Sequence, residues 1–226
     1  MGPFPATLGV ILAGGLSRRM GGNDKTLLRL QGQTLLAHVT NRLGPQCESI
    51  VLSANGDPSR FAETGLPVVP DTVPDHPGPL AGLLAAMDWC VSKKPFVEWI
   101  VSVPCDTPFI PTDLVERLHA ARNDSHGAMA CAASGSRQHY VTGLWSVSLR
   151  ERLRRALVLD GMRRVEDWVK SHDFAIAVWP LEPIDPFFNI NTPADLGLAA
   201  SMLNCAPLDT SGPWQVGSNT EEGCDG

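Results

Sequence analysis

The segment ATLGVILA at residues 6–13 is a continuous apolar run that stops at Gly14-Gly15. A strand with one wet face alternates polar and apolar residues, so a short run without alternation implies burial on both faces. Such a strand needs a covering layer above and below it, and the rest of the chain reads as the material for those layers. TLLAHVTNRL (34–43) places Leu35, Leu36, Val39 and Leu43 at helical spacing behind a Thr34 N-cap. SIVLSAN (49–55) and LPVVP (66–70) read as strands, and PLAGLLAAMDWCV (79–91) as a helix with proline at its start. VEWIVSVP (97–104) reads as a central strand, and PTDLVERLHAAR (111–122) as a helix with Thr112 or Asp113 near its cap. AMACAAS (128–134) and HYVTGLWSV (139–147) follow, then helices near 148–158 and 161–170, a strand FAIAVWP (174–180) and a terminal helix TPADLGLAASML (192–203). This alternation predicts an α/β fold in three layers: a mostly parallel, Rossmann-like sheet with helices on both faces, joined by right-handed crossovers. Residues 1–203 form the expected domain, and the polar, glycine-rich, aperiodic stretch 204–226 is expected to be a flexible tail.

Charge and composition exclude several classes of function. A net charge of -6 argues against coating nucleic acid. No apolar run approaches the roughly 18–20 residues of a membrane span. The start, MGPFPATLGV, lacks the charged n-region and long apolar core of a signal peptide, and Ala6 stands where a myristoylation signal wants Ser or Thr. A cytoplasmic protein is expected. The six cysteines (Cys47, Cys90, Cys105, Cys131, Cys205 and Cys224) form no C-x-x-C pair, which speaks against zinc and against a disulfide framework. Most read as small buried hydrophobes, with Cys224 in the polar tail. The histidines, His38 and His119 among them, show no ligand or triad spacing and read as surface or satisfied-core residues. Trp89, Trp99 and Trp145 are expected to pack within regular elements.

Two stretches carry chemistry. In open α/β sheets ligands bind at the carboxyl ends of strands, where the loop after Ala13 begins. Its glycines leave backbone N–H groups open to an anion, and Arg18, Arg19 and Lys25 add positive charge, so the loop suits the phosphate chain of a nucleotide. A Walker loop is excluded because Asp24 precedes Lys25-Thr26, and the dinucleotide G-x-G-x-x-G pattern is absent. A glycine-rich turn with solvated arginines is the plainer alternative. In VSVPCDTPFI (101–110), Asp106 falls just past a buried strand at the same sheet edge. A carboxylate facing phosphates needs a cation between them, which implies Mg²⁺. The alternative makes Asp106 a turn former ahead of Pro108.

LAGGLSRRMGGNDKTLL, VVPDTVPDHPGPLAGLLAAM, VPCDTPFIPTDL, GMRRV and FFNINTPADL, in this order, resemble the molybdenum cofactor guanylyltransferase (MobA) family. The resemblance covers about residues 6–203 and implies the nucleotide-diphospho-sugar transferase type of fold. It implies transfer of GMP from GTP to the phosphate of Mo-molybdopterin, with pyrophosphate released and Mg²⁺ as cofactor. It puts nucleotide contacts at Leu12, Ala13, Gly14, Gly15, Lys25, Asp71 and Asp106, and metal at Asp106. The family commonly carries asparagine where this chain has Ser53, so that contact is expected to weaken or pass to Asn55. Lys25, Asp106 and Arg19 are the catalytic candidates. Gly78, Pro79, Leu80, Ala81, Gly82, Arg163, Arg164, Asn189 and Asn191 are candidates for gripping molybdopterin. Against these stand plainer roles: a helix start at GPLAG, a solvated helix face at Arg163-Arg164 and a capped turn at NINTP. Molybdopterin-delivery or molybdoenzyme chaperone proteins are the expected partners. The competing functions are a cytidylyltransferase on the same pterin, a sugar-phosphate nucleotidyltransferase, and a regulator that binds GTP without turnover.

Overall fold

The computed structural model describes residues 4–13, 25–73 and 78–205. Gly14, Gly15, Arg18, Arg19, Cys224 and the tail beyond Cys205 lie outside the described residues. The apolar run forms β1 (Thr7–Leu12), buried along its whole length. A two-stranded ribbon follows, β2 (Arg29–Leu30) with β3 (Gln33–Thr34). Then come α1 (Leu35–Leu43), β4 (Ser49–Ser53), β5 (Val68–Val69), α2 (Pro79–Lys93), β6 (Trp99–Pro104) and α3 (Leu114–Ser125). The chain continues through β7 (Met129–Ser134), β8 (Arg137–Ser146), α4 (Arg150–Val158), α5 (Val165–Lys170), β9 (Ala175–Trp179) and α6 (Pro193–Cys205).

Seven strands make one sheet in the order β5-β4-β1-β6-β8-β7-β9. Its pairs are parallel except those made by β8, which runs antiparallel to both neighbours. Leu8, Val10 and Leu12 of β1 pack on the face covered by α2, α4 and α5. Ile11 turns to the opposite face, which holds Leu36 and Val39 of α1 and Leu114 and Leu118 of α3. The three layers expected from the sequence are these. A smaller cluster of Leu30, Leu35, Phe109, Ile184, Ile190 and Ala199 seats α6 beside the ribbon.

Local chemistry sets the helix boundaries. The Thr34 hydroxyl accepts from the Ala37 N–H at 3.1 Å and starts α1. Asp113 stands before α3 without capping it, because its Oδ1 accepts from Trp179 Nε1 at 2.9 Å. The cap comes instead from Gln46, whose Oε1 accepts from the Val115 N–H at 2.9 Å. The helix expected over 161–170 begins only at Val165. Arg164 is extended (φ -94°, ψ 130°), and Arg163 turns back to donate to the carbonyls of Leu157 and Met162 at 3.3 and 2.9 Å. The two arginines therefore lie on the approach to α5 and not on a helix face.

Cys90, Cys105 and Cys131 are buried free thiols, and Trp99 and Trp145 are buried in the core. His119 is fully buried, with Nε2 2.8 Å from Thr7 Oγ1. Because that hydroxyl donates to the Pro5 carbonyl at 2.9 Å, the imidazole Nε2 is the one that carries the proton. Burial, with Arg122 nearby, pushes the His119 pKa down to about 4.

Candidate active site

Register fixes which residues meet at the carboxyl edge of the sheet. Val69, Ser53, Leu12 and Pro104 form one row across β5, β4, β1 and β6. Backbone hydrogen bonds carry that row a step further: Ala54 N–H to Val69 O at 3.1 Å, Ala13 N–H to Ser53 O at 2.9 Å, and Cys105 N–H to Leu12 O at 3.1 Å. The next residues past the row are Asp71, Asn55 and Asp106, so three polar candidates share the edge that Leu12 and Ala13 also reach. Lys25 opens a short 3₁₀ turn at Lys25–Leu27.

At the β5 end, Asn55 Nδ2 donates to Asp71 Oδ2 at 2.7 Å, and the Asp71 N–H donates to Asn55 Oδ1 at 2.8 Å. At the β6 end, the Asp106 carbonyl accepts from the Ile190 N–H at 2.9 Å. That bond draws the NINTP segment against the edge. Asp195 then takes the N–H groups of Asn191 and Thr192 at 2.9 and 2.8 Å, and Thr192 Oγ1 accepts from the Asp195 N–H at 3.2 Å. This reciprocal pair caps α6. NINTP is thus a capped turn that also holds Asn189 beside Asp106.

The GPLAG segment starts α2 over the same edge. Gly78 precedes the helix at φ 145°, a backbone conformation open to glycine. Pro79 is the first helical residue, and among the described residues no side chain caps the first turn. Leu80 and Ala81 are buried beneath it. At Gly82 the helix comes so close to β4 that a Cβ would stand 2.3 Å from Ser53 Oγ. Ser53, only 4% exposed, packs against that turn.

A cleft of about 410 Å³ opens where Pro79, Arg163, Arg164 and Asn189 converge. Those four are legible in the sequence, whereas Arg137, Gln138, His139 and Tyr140, which also line the cleft, carry no sequence signal. They reach the cleft because β8 is antiparallel: Ser102 pairs with Gly143, so the first residues of β8 overhang the end of β6. Three arginines line the cleft together with Glu166, which is shared by Arg164 at 3.1 Å and Lys170 at 2.6 Å. His139 Nε2 lies 2.8 Å from Ser134 Oγ. Burial pushes the His139 pKa below its ordinary value, with Asp185 opposing and Arg137 adding to the shift. The cleft is cationic and rich in planar hydrogen-bonding groups, which suits an anionic heterocyclic ligand.

An α/β sheet of this order, with a glycine-rich loop after its first strand and a carboxylate after its central one, defines a nucleotidyltransferase. Residues 9–174 match the MobA-like NTP transferase domain, and the chain belongs to that family. It is 54% identical over 196 residues to the molybdenum cofactor guanylyltransferase of Nitrobacter hamburgensis, covering 87% of this chain and 94% of that one. Its fold is similar to that of a molybdopterin-guanine dinucleotide biosynthesis protein A from Archaeoglobus fulgidus (TM-score 0.68, 22% identity, 88% and 99% covered). It is similar also to a Mycobacterium tuberculosis protein solved as a complex with manganese (TM-score 0.61, 18% identity, 87% and 98% covered).

Proposed function

We propose that the chain is a molybdenum cofactor guanylyltransferase, transferring GMP from GTP to the phosphate of Mo-molybdopterin. The products are molybdopterin guanine dinucleotide and pyrophosphate. One observation carries the reading: Asp71 and Asp106 stand three strands apart on one edge, with the arginine-lined cleft beyond Asp106. Strands spaced by about 4.8 Å put the ends of β5 and β6 about 14 Å apart. That span accommodates a nucleotide laid along the edge with its phosphates at Asp106 and its base towards Asp71. Asp71 is therefore assigned to the guanine edge, whose N1–H and N2–H₂ donors suit a carboxylate, while the O2 and N3 acceptors of cytosine do not. The activity named for the Nitrobacter relative supports the same reading.

Asp106 fits Mg²⁺. It offers a hard oxygen donor, and among the described residues no group of three His, Cys, Asp or Glu could hold an ion unaided. A single carboxylate completed by phosphate and water oxygens is an ordinary Mg²⁺ arrangement. The manganese complex of the tuberculosis protein supports a divalent ion in this fold. When bound, Mg²⁺ neutralises charge on the phosphate chain.

Leu12, Ala13, Gly14 and Gly15 line the nucleotide, and Lys25 and Arg19 meet the charge that develops on the leaving pyrophosphate. The cleft, with Arg163, Arg164 and Asn189, and with Asn191 two residues further along the chain, holds the pterin phosphate so that its oxygen attacks the α-phosphorus in line. No covalent enzyme intermediate is needed, and positioning supplies much of the rate. The setting is the cytoplasm, with delivery or chaperone proteins bringing and removing the pterin. Incubation with Mg²⁺, molybdopterin and either GTP or CTP, followed by pyrophosphate release, tests the proposal. GTP should be preferred by at least about 10²-fold in kcat/KM, because buried polar mismatches discriminate strongly. Comparable turnover of CTP, or no pyrophosphate with GTP, overturns it.

A further inference from the structure

We propose that Asn55 is the positioning residue of the base site: it locks the Asp71 carboxylate for guanine. This role rests on the guanylyl reading above. The Asn55 carboxamide binds Asp71 at both ends, donating to Oδ2 at 2.7 Å and accepting from the backbone N–H at 2.8 Å. It adds one side-chain rung beyond the last backbone rung between β4 and β5, the Ala54 N–H to Val69 O bond at 3.1 Å. Asn55 is itself held, since its carbonyl accepts from Arg60 Nη2 at 2.5 Å. With Oδ2 tied, the carboxylate has one rotational setting, and Oδ1 and the second lone pair of Oδ2 are turned to accept from the ligand.

Ser53 does not supply this contact from its own position. Its hydroxyl is buried against Gly82, where an added Cβ would approach within 2.3 Å. The polar group at the end of β4 that can act on the base site is therefore Asn55, two residues on.

A half-buried aspartate that must be frozen at binding loses rotamer freedom, and Asn55 removes that cost in advance. The test is Mg²⁺-dependent binding of GTP and ITP to the full chain by calorimetry, together with steady-state kinetics. ITP keeps N1–H and lacks the N2 amine. Asn55→Ala should weaken GTP binding about 10-fold and compress the GTP-to-ITP ratio, while kcat at saturating GTP falls less than affinity. Asn55→Asp keeps an acceptor for the Asp71 N–H but sets two carboxylates against each other, and should compress the ratio further. In the Asp71→Ala background, Asn55→Ala should cost nothing more.

A purely structural role would weaken both nucleotides alike and lower Tm. Unchanged discrimination in Asn55→Ala, or additive effects in the double variant, overturns the inference. A wild type that does not prefer GTP overturns the guanylyl reading and this one together. A wild type that prefers GTP beside variants that do so equally overturns only the role of Asn55.

Discussion

Gly82→Ala separates close helix–strand approach from helix propensity, because the two pull in opposite directions. In a solvated helix interior, replacing glycine with alanine gains about 1 kcal/mol. Here the new Cβ would stand 2.3 Å from Ser53 Oγ, 3.1 Å from Leu12 Cδ2 and 3.3 Å from Ser53 Cβ. The helix cannot rotate away cheaply, since Leu80, Leu83 and Leu84 on either side are all buried. Forcing a methyl into such a contact costs about 1–3 kcal/mol, so a net loss of about 0–2 kcal/mol is expected once propensity is offset. Urea denaturation should show a lower midpoint with an unchanged m-value. Adding Ser53→Ala removes the oxygen at 2.3 Å, and the next nearest contacts lie at 3.1 and 3.3 Å. Small shifts relieve those, so the double variant should recover at least about 1 kcal/mol, a coupling well outside the error of additive sites. Gly82→Ala that stabilises by the propensity value, or strict additivity with Ser53→Ala, would refute the packing argument.

Three further outcomes are expected. Asp106→Asn should keep the fold and slow turnover about 10²–10³-fold, the loss of a stabilising contribution of about 3–4 kcal/mol; undiminished kcat at limiting Mg²⁺ would remove Asp106 from the metal site. Arg137→Ala should raise KM for molybdopterin about 10-fold, as loss of one charge-assisted contact does, and leave KM for GTP near its original value; the reverse pattern would detach β8 from the pterin cleft. His119, neutral when folded, has a pKa of about 4 against an ordinary 6.5. Its depressed pKa means that unfolding takes up a proton below about pH 6.5, so about 3 kcal/mol of stability present above that pH is lost as pH falls to about 4. His119→Gln should flatten stability over that window, and an unchanged slope would show that other groups set it.

The elements legible in the sequence were those whose burial is two-sided or strictly periodic. β1 and β6 lie between helices on both faces, so their runs are predominantly apolar and their ends fall within two residues of where pattern reading places them. Thr34 was legible as a cap because an N-cap is a local bond, closed here within three residues. Asp113 was legible as lying near a cap but not as a partner of Trp179, 66 residues away, because a distant donor competes for the same carboxylate. The helix over 161–170 was read too early for a related reason. Arg163 finds carbonyl partners in Leu157, at the end of the preceding helix, and in Met162, its neighbour in the chain.

The site divides along the same line. Asp106 and GPLAG announce themselves because each sits directly at the end of an apolar element, where a charge or a glycine pair is conspicuous. Arg137 through Tyr140 do not, because strand direction is invisible in a run of side chains. Had β8 been parallel to β6, those residues would stand at the opposite edge of the sheet. The antiparallel pairing of Ser102 with Gly143 is what converts an ordinary polar strand start into the wall of a binding cleft. Asn55 and Asp71 pose the same problem on a smaller scale: sixteen residues apart in the chain, they become hydrogen-bonded partners only through the pairing of Ser53 with Val69. Chemistry that a single strand end can carry is thus visible in the sequence, and chemistry that needs two strand ends in register appears only with the sheet order.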